Sequence, residues 1–331
     1  MASHRLAHLF PIILLFTIPA GYVMASPPAA IKAAYWPSWS KTFPPSAIDT
    51  TLFTHILYAF LVPSNVTFKF EVSDSTASLL ENFTGTLHRE NPPVKTLVSF
   101  GGGGSDPKLF ARMASNKGSR NIFIDSAIEV ARTYGFDGMD LDWEFPKNPE
   151  EMAGLGQLFK EWRVAIKKEA KSTHRSPLLL TAAVYFLRRL SMEWKLPEVS
   201  SGIHRQKLGL ETWWSWACPC TGGRGNLKDP KVNGIGAPAT AVGPGDDGVL
   251  IFSEVEKFNR ENGATVVYDA KTVSTYSHAG TSWIGYDDSQ STTVKLEFAQ
   301  AHGLRGYFFW ALSYDREWEI SKQASRTWVT G

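Results

Sequence analysis

The sequence predicts an α/β fold, either a (β/α)8 barrel or a doubly wound sheet, on three observations. Apolar segments of strand length alternate with amphipathic helices along the chain, the order produced when parallel strands are joined by helical crossovers. One strand segment carries three acids on a single face, and both architectures gather their chemistry at the C-terminal ends of the strands. The chain has 331 residues but only two cysteines, Cys218 and Cys220. A bridge between positions two apart closes a ring too small for relaxed disulfide geometry, so a large core must supply the stability.

The strand candidates are Ile31 to Trp36, Thr54 to Leu61, Lys95 to Phe100, Phe136 to Phe145, Leu178 to Tyr185 and Gly306 to Leu312. Asn121 to Tyr134 and Gly154 to Lys171 read as helices. In the first helix Ile124, Ala127, Ile128 and Ala131 recur at spacings of three and four, and Gly135 stands where a C-terminal cap belongs. Asn233 to Gly248 is rich in Gly and Pro and reads as a loop, and residues 265–287 form a compact β-rich insertion with aromatic punctuation. Such an insertion commonly walls one side of a barrel's cleft.

A formal net charge of +2 with 20% charged residues argues against nucleic acid as a partner, because such binders concentrate a basic excess. Twelve Trp, ten Tyr and twenty Phe supply rings of the kind that stack on sugar faces, although a large core absorbs many of them. Residues 1–25 read as a secretory signal: Arg5, an apolar run from Leu9 to Ile18, then Val23-Met24-Ala25 as a cleavage site. The run is broken by Pro11 and Pro19 and falls short of the roughly 20 residues of a spanning helix, so no membrane association is expected after cleavage. The expected destination is the extracellular space, with the vacuole as the alternative. Asn65-Val-Thr67 and Asn82-Phe-Thr84 are glycosylation sequons that fit this route.

The strongest feature is the segment from Phe136 to Phe145. Strand side chains alternate, so Asp140, Asp142 and Glu144 share one face while Met139, Leu141 and Trp143 share the other. The acids recur at roughly 6 to 7 Å. Turned into a barrel, they sit in low dielectric and repel one another, which raises at least one pKa and keeps a proton available near neutral pH. An exposed polar face or a divalent-metal site could use the same acids; a run of same-face acids between apolar residues favours catalysis. The Gly101 to Gly104 run lacks the Lys-Ser/Thr end of a phosphate loop. The eight histidines lack metal-ligand spacing, so no metal site is expected.

Asp137-Gly-Met-Asp140-Leu-Asp142-Trp-Glu144 resembles the DGxDxDxE signature of family 18 glycoside hydrolases, the chitinase family. Ser99-Phe-Gly101-Gly102 resembles that family's SxGG motif on the third strand, Tyr58-Ala-Phe60 its second-strand motif, and Phe309-Trp310-Ala311 its eighth strand. The match is to the plant class V group and covers Ala30 to about Phe186 and Leu227 to the end. The resemblance implies a (β/α)8 TIM barrel across residues 26–331, with a small α+β insertion between the seventh and eighth strands. It implies retaining, substrate-assisted hydrolysis of β-1,4-linked N-acetylglucosamine polymers. Glu144 would be the general acid, Asp142 would orient the substrate's acetamido group, and Asp140 would share a proton with Asp142. Trp310 would floor the sugar site with Tyr35, Phe60, Gly101 and Gly102 nearby, while Asp137 and Ser99 belong to the structural part of the motifs. No cofactor is implied, and the partner is chitin or its oligosaccharides, bound by a monomer. A chitin-binding, lectin-like homologue is the alternative on the same scaffold.

Residues 187–226 depart from the family pattern. Leu187 to Leu210 can be encoded so that a frame displaced by one nucleotide reads as the family's continuation, and Trp213 to Asn226 so that a frame displaced by two gives its seventh strand. The intervening family text, which carries the sixth strand and its M-x-x-D-Y motif, is absent. The barrel is therefore expected to be incomplete, at a cost in stability and catalysis from unpaired strand edges.

Overall fold

A computed structural model describes residues 30–183, 218–219, 223–235, 237, 239–241 and 250–328. The expected export signal and most of residues 187–226 lie outside these. Strands β1 (Ile31–Pro37), β2 (His55–Leu61), β3 (Lys95–Gly101), β4 (Gly138–Asp142) and β5 (Leu179–Ala182) follow one another in the first half of the chain. After β6 (Cys218–Pro219), β7 (Gly223–Leu227), β8 (Ala239–Ala241), β9 (Thr265–Asp269), β10 (Ser274–Ala279) and β11 (Ser282–Tyr286), strand β12 (Gly306–Trp310) returns beside β1. The larger sheet has the order β5-β4-β3-β2-β1-β12-β6 and its ladders are all parallel. Among the described residues no ladder joins β5 to β6, so over those residues the sheet is open, consistent with an incomplete barrel.

Alternation along the strands divides the core in two. Ala34 and Trp36 of β1, Ile56 and Tyr58 of β2, Val98 and Phe100 of β3, and Met139 and Leu141 of β4 pack outward against the helices. Ala33, Tyr35, Leu57, Ala59, Leu97 and Phe308 form a separate inner cluster. The helices α1 (Asp74–Leu87), α2 (Pro107–Ser115), α3 (Lys117–Thr133), α4 (Pro149–Thr173), α6 (Ser289–Ala301) and α7 (Glu319–Thr327) supply the outer layer. Helix α3 ends before Gly135, whose φ of +73° is the left-handed conformation in which glycine closes a helix without a Cβ clash. Helix α4 opens with Asn148 accepting from the Glu151 amide and Pro149 in its first turn, which satisfies donors the first turn leaves free.

The acid-bearing strand is shorter than expected. Its ladder covers Gly138–Asp142 and not 136–145, because β3 pairs with it only from Leu97 to Gly101 and β5 only as far as Ala182. The insertion expected at 265–287 supplies β9, β10 and β11, and β7 and β8 complete an antiparallel sheet of order β8-β7-β11-β10-β9. Helix α5 (Phe252–Glu261) packs on that sheet, Phe252 edge-on to Tyr286 at 6.3 Å.

At the N-terminal end of the strands Asp137 pins β3 to β4. Its carboxylate accepts from the Thr96 amide at 2.9 Å and from Lys95 Nζ at 2.7 Å, and pairs with His88 Nε2 at 3.0 Å. Burial by itself would raise this carboxyl, but the bonds from His88, Lys95 and Thr96 outweigh it and hold the group at about 2, below the ordinary 3.8. A depressed folded pKa contributes stability that is full above about pH 5 and disappears as pH falls toward 2. Asp137→Asn is therefore expected to lower the urea-unfolding free energy on the order of 1 to 2 kcal/mol at pH 7, with the gap closing steadily between pH 4 and pH 2. A gap independent of pH would remove the ionised carboxylate from this role.

Candidate active site

The register of three parallel strands sets Ser99 of β3, Asp140 of β4 and Thr181 of β5 side by side, at the roughly 4.8 Å spacing of neighbouring strands. Asp140 is 1% exposed and Asp142, one pleat further along the same face, is 7% exposed. An ionised carboxylate in such a place needs donors on its oxygens. Asp140 has three: Oδ2 accepts from Tyr35 at 2.9 Å and Ser99 at 2.7 Å, and Oδ1 accepts from Thr181 at 2.6 Å.

The two aspartates differ in what opposes their burial. Burial raises the Asp140 carboxyl, and the hydroxyls of Thr181, Ser99 and Tyr35 pull against it. Burial also raises Asp142, and the charges of Asp140 and Glu144 push it in the same direction, to about 8. Near neutral pH a carboxyl raised to about 8 keeps its proton, which makes Asp142 the protonated member of the row, while the three hydroxyls on Asp140 oppose the effect of its burial. Tyr35 is held protonated by burial and by both carboxylates, so its hydroxyl is a donor throughout. Glu144 follows the end of β4 at the solvent-accessible rim, and partial enclosure raises its carboxyl as well.

Two glycines let the neighbouring loop close on the row. Gly101 has φ +118°, and a Cβ there would lie 2.2 Å from the Asp142 carbonyl oxygen; Gly102 has φ +87°, and a Cβ there would lie 2.4 Å from the Phe60 ring. The Gly102 amide donates to that same carbonyl at 2.8 Å. Phe60 in turn stacks on Trp310, with centroids 5.4 Å apart and planes 17° apart, and Tyr35 meets Trp310 edge-on at 5.4 Å.

Asp140, Asp142, Glu144, Ser99, Tyr35, Phe60, Gly101, Gly102 and Trp310 thus converge on the C-terminal mouth of the sheet. Asp137 lies at the opposite strand end. Asn65 and Asn82 are exposed, but Thr84 of the second sequon is buried in α1 and donates to the Leu80 and Tyr134 carbonyls. Sequence reasoning missed two members of the site. Thr181 is the polar residue in an otherwise apolar strand, and Trp39, four residues after Tyr35, stacks over Phe60 at 6.3 Å and beside Trp310 at 6.0 Å with 54% of its surface exposed. Among the described residues no group of three or more His, Cys, Asp or Glu has the geometry to hold a metal ion, and no helix is long and apolar enough to cross a membrane.

The sequence profile described as Glycosyl hydrolases family 18 matches residues 32–204 and 219–315, so its interruption falls inside the divergent 187–226 stretch. Class V chitinase CHIT5a of Medicago truncatula is 42% identical over 90% of this chain and 89% of its own length. The crystal structure of a class V chitinase mutant from Cycas revoluta, in complex with (GlcNAc)3, superposes with a TM-score of 0.80 at 36% identity, covering 91% of this chain and all of that one. A chitinase-like agglutinin from Robinia pseudoacacia superposes with a TM-score of 0.74 at 31% identity, again over 91% of this chain and all of the other.

The contact between Gly102 and Phe60 yields a direct test. Gly102→Ala forces the Phe60 ring out of its stack with Trp310 and places alanine at positive φ, a cost on the order of 1 to 3 kcal/mol. Thermal unfolding is expected to show a drop of several degrees together with altered tryptophan fluorescence; an unchanged melting curve would contradict the tight approach.

Proposed function

This chain belongs to glycosyl hydrolase family 18, and from that premise we propose that it hydrolyses β-1,4-linked N-acetylglucosamine polymers, chitin and its oligosaccharides. The observation that carries this reading is the arrangement along one strand face, with Asp140 buried under three hydroxyls, Asp142 buried one pleat further along and Glu144 at the accessible rim. Relatives named as class V chitinases and a structural neighbour holding (GlcNAc)3 support the substrate class.

Glu144, raised by its enclosure, donates its proton to the glycosidic oxygen as the bond to the anomeric carbon breaks. The substrate's own acetamido oxygen attacks that carbon, so no enzyme nucleophile is required. Asp142 gives its O–H toward Asp140 and presents its other oxygen to the acetamido N–H, which turns the carbonyl oxygen toward the reacting carbon. The oxazolinium ion that forms is stabilised by the adjacent carboxylates. Water then opens it, with Glu144 as general base. Phe60, Trp310 and the exposed Trp39 offer a continuous aromatic surface for the flat faces of the sugar rings.

Likeness to an agglutinin raises carbohydrate binding without turnover as a second reading. The retained proton on Asp142 and the rim position of Glu144 favour hydrolysis, since simple binding gives neither group a task. Export through residues 1–25, an extracellular or vacuolar destination, glycosylation at Asn65 and Asn82, and action as a monomer complete the proposal.

Glu144→Gln is expected to abolish release of reducing ends from chito-oligosaccharides while leaving their affinity within a few-fold, both in the mature chain and in a form with the family's intervening segment restored. Substantial turnover by that variant would sink the assignment. Two displacements at the same carbon return the original configuration, so early products should be the β anomer by proton NMR. Early α product would exclude the acetamido group as nucleophile.

A further inference from the structure

Three hydroxyls serve Asp140, and they are not equivalent. Tyr35 and Ser99 both donate to Oδ2, so either can compensate in part for the other. Oδ1 has Thr181 as its side-chain donor, at 2.6 Å and with Thr181 only 2% exposed. The ladder fixes this contact, because β5 pairs Thr181 directly with Asp140 on the inner face of the sheet. The groups facing Asp140 are Tyr35 from β1, Ser99 from β3, Asp142 further along β4, and Thr181 from β5. Thr181 is also the largest of the three hydroxyl influences holding the Asp140 carboxyl down against its burial.

We propose that Thr181 is a positioning residue of the carboxylate row: its hydroxyl closes the hydrogen bonding of Asp140 and so leaves the row's proton on Asp142. The hydroxyl touches neither substrate nor the reacting atoms and acts through Asp140. Without it Oδ1 becomes a buried, unserved oxygen, and the least costly repair is to place the proton there. Asp142 then becomes the anion, loses its O–H to Asp140, and no longer holds the acetamido group in the attacking orientation. This inference rests on the proposed function for its catalytic consequence, but the proton's location can be read without turnover.

The test uses the full mature chain labelled with [13Cγ]aspartate, the Asp140 and Asp142 carboxyl signals being assigned from Asp140→Asn and Asp142→Asn and so told apart from those of the buried Asp287 and Asp315. In the parent chain the Asp142 signal is expected to titrate near 8, with Asp140 ionised at neutral pH. Thr181→Val keeps the shape and removes the donor, a methyl group standing where the hydroxyl faced Asp140 Oδ1. At pH 7 the protonated signal should move from Asp142 to Asp140. In oligosaccharide hydrolysis kcat should fall about tenfold with KM nearly unchanged, and the acidic limb of the pH profile should rise by about one unit, the size expected for loss of one hydrogen bond to a charged group. Thr181→Ser restores the donor and should restore both readouts.

If the carboxyl titrations of Thr181→Val match the parent, the proposal is overturned, whatever happens to stability or kcat. Should that variant fail to fold, Thr181→Cys offers a weaker donor of similar size and should give the same displacement in smaller degree; its absence overturns the proposal equally. Glu144→Gln separates the two levels. Turnover surviving in that variant removes the proposed function while the titrations still report on Thr181, and an inactive Glu144→Gln beside an unmoved Thr181→Val titration removes Thr181 alone.

Discussion

Placing carboxylates on the inner face of an apolar sheet is the constraint on which the rest of this structure depends. A charge removed from water is tolerated only when donors replace the solvent or when the group keeps its proton. This chain uses both solutions on adjacent pleats of one strand. Asp140 receives three hydroxyls from three different strands, and Asp142, pushed up by burial and by its acidic neighbours, stays protonated. Neither solution works alone. The anion on Asp140 helps keep the proton on Asp142, and that proton in turn relieves the repulsion that two buried anions would otherwise suffer.

The surrounding architecture follows from that requirement. Parallel pairing without slippage across β3, β4 and β5 aligns Ser99, Asp140 and Thr181, and a one-residue shift would turn the acids outward into the helix layer. The close approach of Gly101 and Gly102 brings the loop after β3 onto the Asp142 carbonyl, where a side chain at either position would collide. Phe60, packed beneath Gly102, then lies flat against Trp310. The aromatic stack and the carboxylate row are therefore joined through the loop at Gly101 and Gly102, so a side chain at Gly102 is expected to disturb the stack.

Much of this was legible in the residues themselves. Apolar runs marked β1, β2 and β3 almost to the residue, and period-two alternation placed Asp140 and Asp142 on one face without any knowledge of partners. Helix α1 escaped notice because Ser75, Thr76, Ser78, Thr84 and Thr86 dilute its apolar face, of which only Leu80, Phe83 and Leu87 are buried hydrophobics. The start of α4 was set too late, although Asn148-Pro149-Glu150-Glu151 carries the cap, the first-turn proline and the early acids of a helix N-terminus. Thr181 was illegible for a different reason. A threonine in an apolar run reads as ordinary β propensity, and its task exists only once the register sets it beside Asp140. Trp39 sits in the turn after Pro37, where sequence periodicity says nothing about what a ring covers.

The incomplete barrel bears unequally on the two ends of the row. Among the described residues the side-chain donors to Asp140 come from β1, β3 and β5, all strands of the parallel sheet. The network that sorts the proton between Asp140 and Asp142 is thus self-contained within those strands. Glu144 has no such support: it stands past the last ladder residue of β4, at the accessible rim, with burial as the only cause raising its carboxyl. Its acidity depends on how far water is kept away, and a polysaccharide chain lying on Trp39, Phe60 and Trp310, as the proposed function has it, would exclude water from that rim. Under the proposed function, substrate is therefore part of what tunes the acid, whereas the orientation of the acetamido group is prepared beforehand by the buried pair.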